Sequence, residues 1–508
     1  MSQRLDALLI YPIWVTATGR GRLQRMLPPL GILSIASYLE SLNYKVGVMD
    51  LHGDPMMPND FRRRVRELKP KTVGITVLSN HFIVAHHIAT ICKEEVPDCR
   101  VIVGGVHAEA YPEQMLRNKN IDAVARGDGE ETMADFVAGR PYSETQGLSY
   151  RGPNHEVIHN PIRALTKDLD QYPFPAYHLI DFTKYFPGVG TYRNYPAINM
   201  LMTRGCPGKC TFCNSALTVL RGRSPEKMVD LIQKLREEHG IRQITFYDDT
   251  FTATPVTVRK FCHEMITRKV DVTFVCYARG DMFSEEMAQL LSQAGCHQVL
   301  LGIESGSDKL MAAIGKPIDK AKYKRVVDIA HKYGIEVRGA FIIGHLEETK
   351  ETLEETLQFA VDLDLDFFAP SILTPYPGTE LFKQSKAENI LLHEDYSLYG
   401  QGEVILKMKH LNKDELLHFY KWCFFRFYLR PRVFMKQLRR LKTFRQILDI
   451  FSVFRVLVLE GLGKNSSKEL LAWIQFDLQQ VLDHNVVVPA EPRLTWEVRN
   501  LDSVRGAA

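Results

Sequence analysis

From residue 198 onward the sequence repeats one pattern six times, an apolar run of strand length followed by a segment of helical periodicity. The predicted strands occupy residues 198–202, 243–247, 272–277, 297–302, 336–343 and 366–373. Strands separated by helices pair in parallel, because each helix carries the chain back across the sheet. Six such units predict a (β/α)6 partial barrel with its active site at the carboxyl ends of the strands. The alternative, an eight-stranded barrel, needs two repeats that are not visible.

The first of these strands leads into a loop that carries Cys206, Cys210 and Cys213. Thiolates are soft ligands that suit iron–sulfur clusters and zinc. A four-iron cluster normally takes four thiolates, so three would leave one iron open to a substrate or cofactor. No nearby Cys or His completes a four-ligand zinc site. The spacing therefore favours a cluster with an open iron, and a zinc site is the alternative.

The C-x3-C-x2-C spacing, with Phe212 before the third cysteine, resembles the cluster loop of the radical S-adenosylmethionine (SAM) enzymes. In that family the open iron chelates the amino and carboxylate groups of SAM, and an electron from the cluster cleaves the sulfonium. The resemblance implies a [4Fe–4S] cluster, bound SAM and an external electron donor such as flavodoxin or ferredoxin.

Polar residues follow several barrel strands, and the resemblance gives them roles in SAM binding. The expected SAM contacts are Phe212, Asp248, Asp249, Arg279, Glu304, Ser305, Arg338 and Gly344. Phe212 and the turn at Gly344 would face adenine, and Glu304 with Ser305 would contact the ribose or methionine part. Either arginine could pair with the SAM carboxylate. The family's usual Gly-Gly-Glu is replaced by Tyr247-Asp248-Asp249, which makes the two aspartates the candidates for the amino group.

Residues 1–139 also alternate short apolar strands with helices, and the strands are predicted at 5–11, 45–49, 72–77, 100–103 and 122–125. This pattern predicts a doubly wound parallel α/β sheet. In such a sheet, ligands bind beyond the carboxyl ends of the strands.

This region resembles the cobalamin (B12)-binding domain that precedes many radical SAM domains. There, a Ser/Thr-x-Leu segment and a later Gly-Gly pair hold the nucleotide tail of cobalamin. The matching residues are Thr76, Leu78, Ser79, Gly104 and Gly105. The family's cobalt-ligating Asp-x-His-x-x-Gly loop is missing after the first strand, and His52 follows the second strand instead. We therefore expect cobalamin without a protein ligand to cobalt. The alternative is a vestigial sheet that binds no cobalamin.

Between and beyond these regions the pattern changes. Residues 140–195 combine a predicted hairpin at 148–158 with a Pro- and Tyr-rich run, which predicts a linker. The barrel is predicted over 196–400 and a helical C-terminal region over 401–508. Residues 419–445 mix aromatic side chains with arginines and lysines. Such a segment either touches an anionic membrane surface or packs on the barrel as a cap.

Composition limits the function classes. The net charge of +4 is too small to indicate nucleic-acid binding. No apolar run approaches the length of a membrane span, and no apolar leader is visible, so we expect a cytoplasmic protein. The remaining six cysteines are scattered, which favours buried thiols over disulfides.

Together these patterns resemble the B12-binding-domain radical SAM proteins, which include C-methylases and the oxygen-independent magnesium-protoporphyrin monomethyl ester cyclase. The resemblance implies methylation or oxidative cyclisation at an unactivated carbon. The mixed aromatic and basic segment favours a large apolar substrate, such as a tetrapyrrole or polycyclic lipid. Alternatives are a radical SAM enzyme that acts on a small metabolite without cobalamin, a non-catalytic iron–sulfur electron carrier, and a zinc-stabilised scaffold. An electron carrier would have no use for the polar strand ends.

Overall fold

Two parallel sheets dominate the computed structural model of the chain. The structure describes residues 4–14, 27–188, 190–316, 319–400, 402–440, 473, 477–483 and 485.

The first sheet has seven strands in the order β2-β1-β3-β4-β5-β6-β7. Its elements are β1 (Ala7–Tyr11), α1 (Leu30–Ser41), β2 (Val46–Asp50), α2 (Pro58–Leu68), β3 (Thr72–Thr76), α3 (Phe82–Glu95), β4 (Arg100–Gly104), α4 (Val106–Ala110), α5 (Pro112–Leu116), β5 (Ala123–Ala125), α6 (Gly129–Val137), β6 (Leu148–Arg151) and β7 (Val157–His159). Strands β1 to β5 are parallel, as predicted. In β1, Leu8 and Ile10 face one core and Ala7 and Leu9 the other, so the sheet is buried on both faces.

The predicted hairpin forms, but it belongs to this sheet. Strand β6 pairs antiparallel with β5, and β7 pairs antiparallel with β6. Part of the segment assigned to a linker therefore extends the edge of the first sheet.

The second sheet contains six parallel strands in the order β8-β11-β12-β13-β14-β15, so each strand pairs with the next repeat. Its elements are β8 (Ala197–Met200), β9 (Thr203–Arg204), β10 (Arg221–Gly222), α7 (Pro225–His239), β11 (Gln243–Phe246), α8 (Pro255–Thr267), β12 (Thr273–Ala278), α9 (Glu285–Gln293), β13 (Cys296–Glu304), α10 (Asp308–Ala313), α11 (Lys320–Lys332), β14 (Glu336–Ile343), α12 (Lys350–Asp362) and β15 (Phe367–Ile372). The predicted (β/α)6 partial barrel is confirmed. The short strands β9 and β10 form a separate antiparallel ribbon that encloses the cysteine loop.

Helix α7 shows how the sequence sets a boundary. Pro225 occupies the first turn, and Gly240 ends the helix in a left-handed conformation with φ +66°. The residue before the helix, Ser224, makes no capping bond with its side chain. Instead its backbone N–H donates to the carboxylate of Asp170, which ties the helix start to the preceding segment.

Three further helices follow the barrel: α13 (Glu380–Ala387), α14 (Lys413–Tyr428) and α15 (Pro431–Arg440). Helix α14 lies along β15, the edge strand of the sheet. The Tyr428 hydroxyl donates to the Phe368 carbonyl at 2.9 Å and accepts from the Phe368 N–H at 3.1 Å. Cys423 and Phe427 enter the barrel core. The helix therefore covers backbone groups that an edge strand would otherwise expose.

For the described part of residues 419–445 the structure shows the packing that the cap alternative predicts, because α14 lies against the edge strand β15 and adds Cys423 and Phe427 to the barrel core. Arg445 lies outside the described residues. Within the described part of the chain, no helix is both long and apolar enough to cross a bilayer.

The carboxyl ends of the two sheets face each other. Asn199, on β8, donates to the carbonyl of Pro28, in the segment that leads from β1 to α1, at 2.9 Å. The chain beyond the barrel also returns to the first sheet, where the Tyr396 ring lies 4.6 Å from that of His107. Any ligand beyond one set of strand ends therefore lies close to the other set.

Candidate functional site

The cysteine loop is a folded unit held between β9 and β10. It begins at Gly205, whose φ of +96° and close approach to the Val219 carbonyl leave no room for a side chain. Within the loop, the N–H of Leu217 donates to Gly208 O at 2.7 Å, and that of Thr218 donates to Cys206 O at 3.1 Å. The three thiols are therefore carried on a backbone that is already ordered.

The donor chemistry of this loop fits an iron–sulfur cluster. Cys206, Cys210 and Cys213 are unoxidised and half-buried, whereas the other six cysteines are buried. The Gly208 N–H donates to Cys206 Sγ at 3.3 Å, and burial raises the pKa of Cys210 and of Cys213. Among the described residues, no three His, Cys, Asp or Glu side chains converge on one metal ion. A four-iron cluster does not need such convergence, because each thiolate binds a different iron.

Arg279, one of the predicted SAM contacts, lies against this loop. A β-carbon at Gly208 would lie 3.1 Å from Arg279 Nη1 and 3.2 Å from Cys206 Sγ, so glycine permits the close approach. Asp281 fixes the guanidinium through two bonds of 3.0 and 2.9 Å. The pKa of Arg279 is raised, first by Asp281 and then by Cys210 and Cys206. The guanidinium beside the thiols is therefore fixed in place, with its charge already paired with the Asp281 carboxylate.

Lys316 is a residue of this site that sequence reasoning missed. Its Nζ donates to Glu304 Oε1 at 2.5 Å and to the Gly302 carbonyl at 2.9 Å. The two side chains are only 12% and 10% exposed. Burial acts to lower the pKa of Lys316, but Glu304, Tyr323 and Cys210 outweigh it, so the pKa is raised. No periodicity or motif marks this lysine in the sequence.

Glu304 is placed at the carboxyl end of β13 as predicted, in an unusual backbone conformation. Its φ is +67°, and the pairing of β13 with β14 shifts register between Gly302 and Glu304. A non-glycine residue in this region costs free energy, and such strain is concentrated at functional sites. The bulge aims the Glu304 carboxylate at Lys316.

Ser305 has a structural role at the end of β13, and its contact with SAM stays a prediction. Its side chain is buried, its Oγ lies 3.0 Å from Thr356 Oγ1, and it accepts from the Ser307 N–H. The hydroxyl therefore ties the strand end to α12.

Asp248 binds the backbone that leads into the cysteine loop, and its contact with SAM stays a prediction. Its buried carboxylate accepts from the backbone N–H of Met202 and from both the N–H and the hydroxyl of Thr203. Burial raises its pKa to about 6. Asp248 therefore fixes the strand that leads into the cysteine loop. Asp249 is exposed and contributes to the raised pKa of Cys213, so it is the aspartate that faces the loop.

Arg338 lies on β14 and Gly344 directly follows it, as predicted, and their contacts with SAM stay predictions. Arg338 pairs in register with Phe367, the first residue of β15, so it lies near the amino ends of the strands. Its guanidinium stacks on the Phe367 ring at 4.5 Å. Gly344 ends β14 with φ +87°, and a β-carbon there would lie 2.7 Å from Leu416 Cδ2. The approach of α14 therefore accounts for this glycine. Phe212 is half-buried in the loop, and its contact with adenine stays a prediction.

The predicted cobalamin cradle lies at the ends of β3 and β4. The Val77 N–H donates to the Gly104 carbonyl at 2.7 Å. Gly105 has φ +97°, and a β-carbon there would lie 3.0 Å from the Val77 carbonyl. Gly105 is exposed, and Thr76, Leu78 and Gly104 are half-buried. This open backbone edge fits the nucleotide tail of cobalamin.

The hydroxyl of Ser79 lies beneath that edge rather than on it. It lies 3.3 Å from His107 Nδ1, and His107 Nε2 lies 3.2 Å from Gln114 Oε1. Burial lowers the pKa of His107 to about 3, so the imidazole is neutral. Beside β1, His52 Nδ1 accepts from the Trp14 N–H at 3.3 Å.

Aromatic side chains line the space between the two sets of strand ends. The Tyr247 and Tyr277 rings, from β11 and β12, meet edge to face at 5.9 Å. Burial raises the pKa of Tyr247, and the neighbouring hydroxyls of Tyr277 and Tyr11 add to this. Tyr11 ends β1, so this wall joins both sheets. Tyr247 is nevertheless 43% exposed, which leaves its ring accessible from the cleft.

The two candidate sites adjoin. A β-carbon at Gly378, after β15, would lie 3.3 Å from Asn214 of the cysteine loop and 3.4 Å from Ala110 of α4. Helix α4 follows directly on Gly104 and Gly105. The Leu381 N–H also donates to the carbonyl of Thr211 in the cysteine loop at 2.9 Å.

Comparisons with known proteins agree with this arrangement. Residues 200–360 match the radical SAM superfamily, and residues 20–137 match the B12 binding domain. An uncharacterised methyltransferase of Pyrococcus horikoshii is 33% identical over 420 residues, which cover 81% of this chain and 90% of that protein. The anaerobic magnesium-protoporphyrin IX monomethyl ester cyclase of Rubrivivax gelatinosus is 28% identical over 77% of this chain and 72% of its own length. The structure of TsrM, a radical SAM methyltransferase from Kitasatospora setae, superposes with a TM-score of 0.63 at 20% identity, covering 75% of this chain and 76% of that one.

Proposed function

The chain belongs to the radical SAM enzymes that carry a B12-binding domain, and from this membership we propose that it transfers a methyl group to an unactivated carbon of a large, mostly apolar substrate. The cofactors of this family are a [4Fe–4S] cluster, SAM and cobalamin. Because the family is enzymatic, a non-catalytic electron carrier and a zinc scaffold are no longer needed as interpretations.

The observation that carries the proposal is the opposition of the two sites. The cysteine loop and the cobalamin cradle both lie at carboxyl strand ends, and Gly378 touches both the loop and α4. When bound, the cluster and SAM supply a carbon-centred radical and cobalamin supplies a methyl group. Residues of the cleft would hold the substrate between them and exclude water from the reaction.

Residues in and around the cysteine loop would have separate roles in binding the cluster and SAM. Cys206, Cys210 and Cys213 would hold the cluster. Arg279, paired with Asp281, and Lys316, paired with Glu304, lie beside it, and their remaining N–H groups would donate to the carboxylate of SAM. Asp249 is the acidic group available to the amino group of SAM.

The aromatic wall supports an apolar, ring-containing substrate. Tyr247, Tyr277 and Tyr11 offer ring faces and edges in the cleft, and such surfaces bind planar groups by stacking and edge-to-face contact. A tetrapyrrole or a polycyclic lipid has this character.

Oxidative cyclisation is the second candidate, because cyclases of magnesium-protoporphyrin monomethyl ester from two organisms are each 28% identical to this chain. The two reactions differ in the fate of the SAM methyl group, so an isotope distinguishes them.

The test is anaerobic turnover of reconstituted protein with SAM carrying a CD3 group, a chemical reductant and cobalamin. Magnesium-protoporphyrin IX monomethyl ester, a hopanoid lipid and free tryptophan serve as substrates in parallel. Methyl transfer predicts a product heavier by the labelled methyl group, whereas cyclisation predicts product without the label. Turnover confined to tryptophan would contradict the apolar substrate. SAM cleavage that is unaffected by cobalamin would favour the vestigial-domain alternative.

Contact with a membrane surface is a further part of this proposal. Helices α14 and α15 and the turn between them expose four apolar side chains, Phe425 (54%), Leu429 (66%), Phe434 (48%) and Met435 (49%). Lys421, Arg426 and Arg432 are exposed among them. Apolar insertion with surrounding positive charge suits anionic lipid headgroups.

A further inference from the structure

A single carboxylate connects the cobalamin domain to both arms of the cysteine loop. Asp128 lies between β5 and α6, at the carboxyl end of the first sheet. It accepts from Arg221 Nη1 at 2.6 Å and Nη2 at 3.3 Å, and from Arg204 Nη1 at 3.4 Å. Arg204 is the last residue of β9 and Arg221 is the first residue of β10. The two arginines therefore stand at the beginning and the end of the loop that carries the thiols.

Without that carboxylate, the positive charges of these two arginines would repel each other. Arg204 and Arg221 are direct cross-strand partners in the antiparallel ribbon. Like charges directly opposite each other destabilise a strand pair. Here the ribbon is kept closed by acids from the other domain, because Glu130 also accepts from Arg204 Nη2 at 2.6 Å.

The interdomain ion cluster (Asp128, Glu130, Arg204 and Arg221) is shielded from solvent. The Arg221 side chain is 7% exposed and that of Glu130 is 3% exposed. Shielded charge-assisted bonds of this kind are short and directional. Losing one partner leaves a buried charge without compensation, so the geometry is strongly determined.

The ribbon controls the position of all three thiols. Arg204 lies two residues before Cys206, and the loop is bonded within itself, so displacing the ribbon displaces the loop as a unit. The far side of the loop is fixed separately, through Thr211 and Leu381.

We propose that Asp128 is a positioning residue that sets the distance between the cluster and cobalamin by closing the arginine ribbon onto the N-terminal sheet. The identity of the two cofactors rests on the proposed function. The ribbon closure rests only on the interdomain ion cluster, and the two are tested separately.

The first experiment uses apo protein under anaerobic conditions. Hydrogen exchange read by mass spectrometry compares wild type with Asp128→Asn, Asp128→Glu and the control Asp271→Asn. Asp271 bonds Arg236 at 2.7 Å but is 87% exposed, so it matches the substitution without the burial. We expect exchange in residues 203–222 at least tenfold faster in Asp128→Asn, partial recovery in Asp128→Glu and no change in the control.

A double variant identifies the cause. If repulsion between the arginines opens the ribbon, residues 203–222 should exchange more slowly in the double variant Asp128→Asn/Arg221→Gln than in Asp128→Asn alone. Arg221 is the arginine to remove because its ion-pair partner in the described part of the chain is Asp128, whereas removing Arg204 would leave the buried Glu130 without its partner. Unchanged exchange in Asp128→Asn would overturn the ribbon closure. If Asp128→Asn does not fold, Arg221→Lys removes the two-bonded fork while keeping the charge, and the same acceleration is expected.

The second experiment measures the position itself. Pulsed dipolar EPR between cob(II)alamin and the reduced cluster should give a narrow distance distribution in wild type and a broadened or displaced one in Asp128→Asn, with iron and cobalamin content unchanged. Faster exchange together with an unchanged distance distribution would show a purely structural role and overturn the proposal. Failure of wild type to retain cobalamin would count against the proposed function and against the distance role, while the exchange result would still decide the ribbon closure.

Discussion

Replacing Lys316 by Met tests whether a buried ion pair supports the cluster end of the barrel. Lys316 and Glu304 are 12% and 10% exposed, and their contact is 2.5 Å. The substitution keeps the aliphatic stem but leaves the Glu304 carboxylate buried without its partner. Glu304 must also keep a φ of +67°.

The magnitude follows from the burial. Removing one partner of a buried pair typically costs about 3–5 kcal/mol, because the remaining charge stays desolvated. We take the lower value, ~3 kcal/mol, because neither side chain is completely enclosed. At ~1.4 kcal/mol for each factor of ten, local opening around β13 should become roughly a hundredfold more frequent.

Native-state hydrogen exchange in the apo protein measures this opening directly. Peptides from 296–316 should lose protection in Lys316→Met. The control is Lys309→Met on the same short stretch, because Lys309 is 70% exposed and lies 3.9 Å from Glu347. Exposed pairs of this kind contribute about 0–1 kcal/mol, so its exchange should stay close to wild type.

A double-mutant cycle isolates the pair. Glu304→Gln removes the stranded charge, so the double variant should be more stable than Lys316→Met alone, with a coupling of ~2 kcal/mol. The reasoning is refuted if the two substitutions are additive, or if Lys316→Met exchanges no faster than the Lys309→Met control.

Three further results are expected. Changing Cys210 to Ala should abolish SAM cleavage and lower the iron content, and a variant with all three loop cysteines replaced that kept full iron would contradict the cluster assignment. His52→Ala should leave a base-off cobalamin spectrum unchanged, and a shift in that spectrum would reveal a cobalt ligand. In apo protein, the pKa of Asp248, about 6 against an ordinary 3.8, means that ionisation between pH 4 and 6 costs stability as pH rises. Asp248→Asn should lack this loss of up to ~3 kcal/mol, and parallel pH curves for the two proteins would be inconsistent with it.

A fifth prediction concerns the exposed surface of α14 and α15. Wild type should sediment with vesicles of mixed phosphatidylcholine and phosphatidylserine at low salt, and added salt should weaken binding by screening the cations. Changing Phe425 and Leu429 to Ser should reduce it at every salt concentration. Phe427→Ser is not a suitable control because Phe427 is in the core. The control is Leu217→Ser in the cysteine loop, because Leu217 is also exposed but lies away from α14 and α15 in the sequence. This variant should bind vesicles as wild type does. No binding of wild type at low salt would contradict the membrane contact.

Much of the fold could be predicted because its signals are local. An apolar run such as that of β1 packs on both faces, and the end of α7 is marked by Gly240, whose φ of +66° suits glycine. The hairpin itself is predictable, but its place at the edge of the first sheet is not. Residues 148–159 show their own pairing in the sequence, but nothing local states that β6 also pairs with β5.

At the site, the residues after a strand could be located from the sequence, but the direction of each side chain depends on the pairing of the strand. Strand side chains alternate between faces, and Phe246 lies on the outer face among Phe251, Phe261 and Phe274. Directly after the strand, Tyr247 is exposed again and Asp248 is buried, where it accepts from the N–H groups of Met202 and Thr203. This alternation was available in the sequence. For Ser305 it was not, because the register shift between Gly302 and Glu304 breaks the period.

The roles of Lys316 and Asp128 could not be predicted from local sequence patterns. Asp128 and Arg221 are 93 positions apart and belong to different sheets, so no periodicity relates them. The charges of the ribbon nevertheless determine which kind of residue must pair with it. Two arginines face each other across a ribbon, and that arrangement needs a carboxylate from somewhere else in the molecule. The opposed strand ends of the two sheets bring one there, and the same opposition brings the cysteine loop to the cobalamin cradle. The charged residues that join the two domains are therefore needed because the two sheets must be held with their strand ends facing one shared cleft.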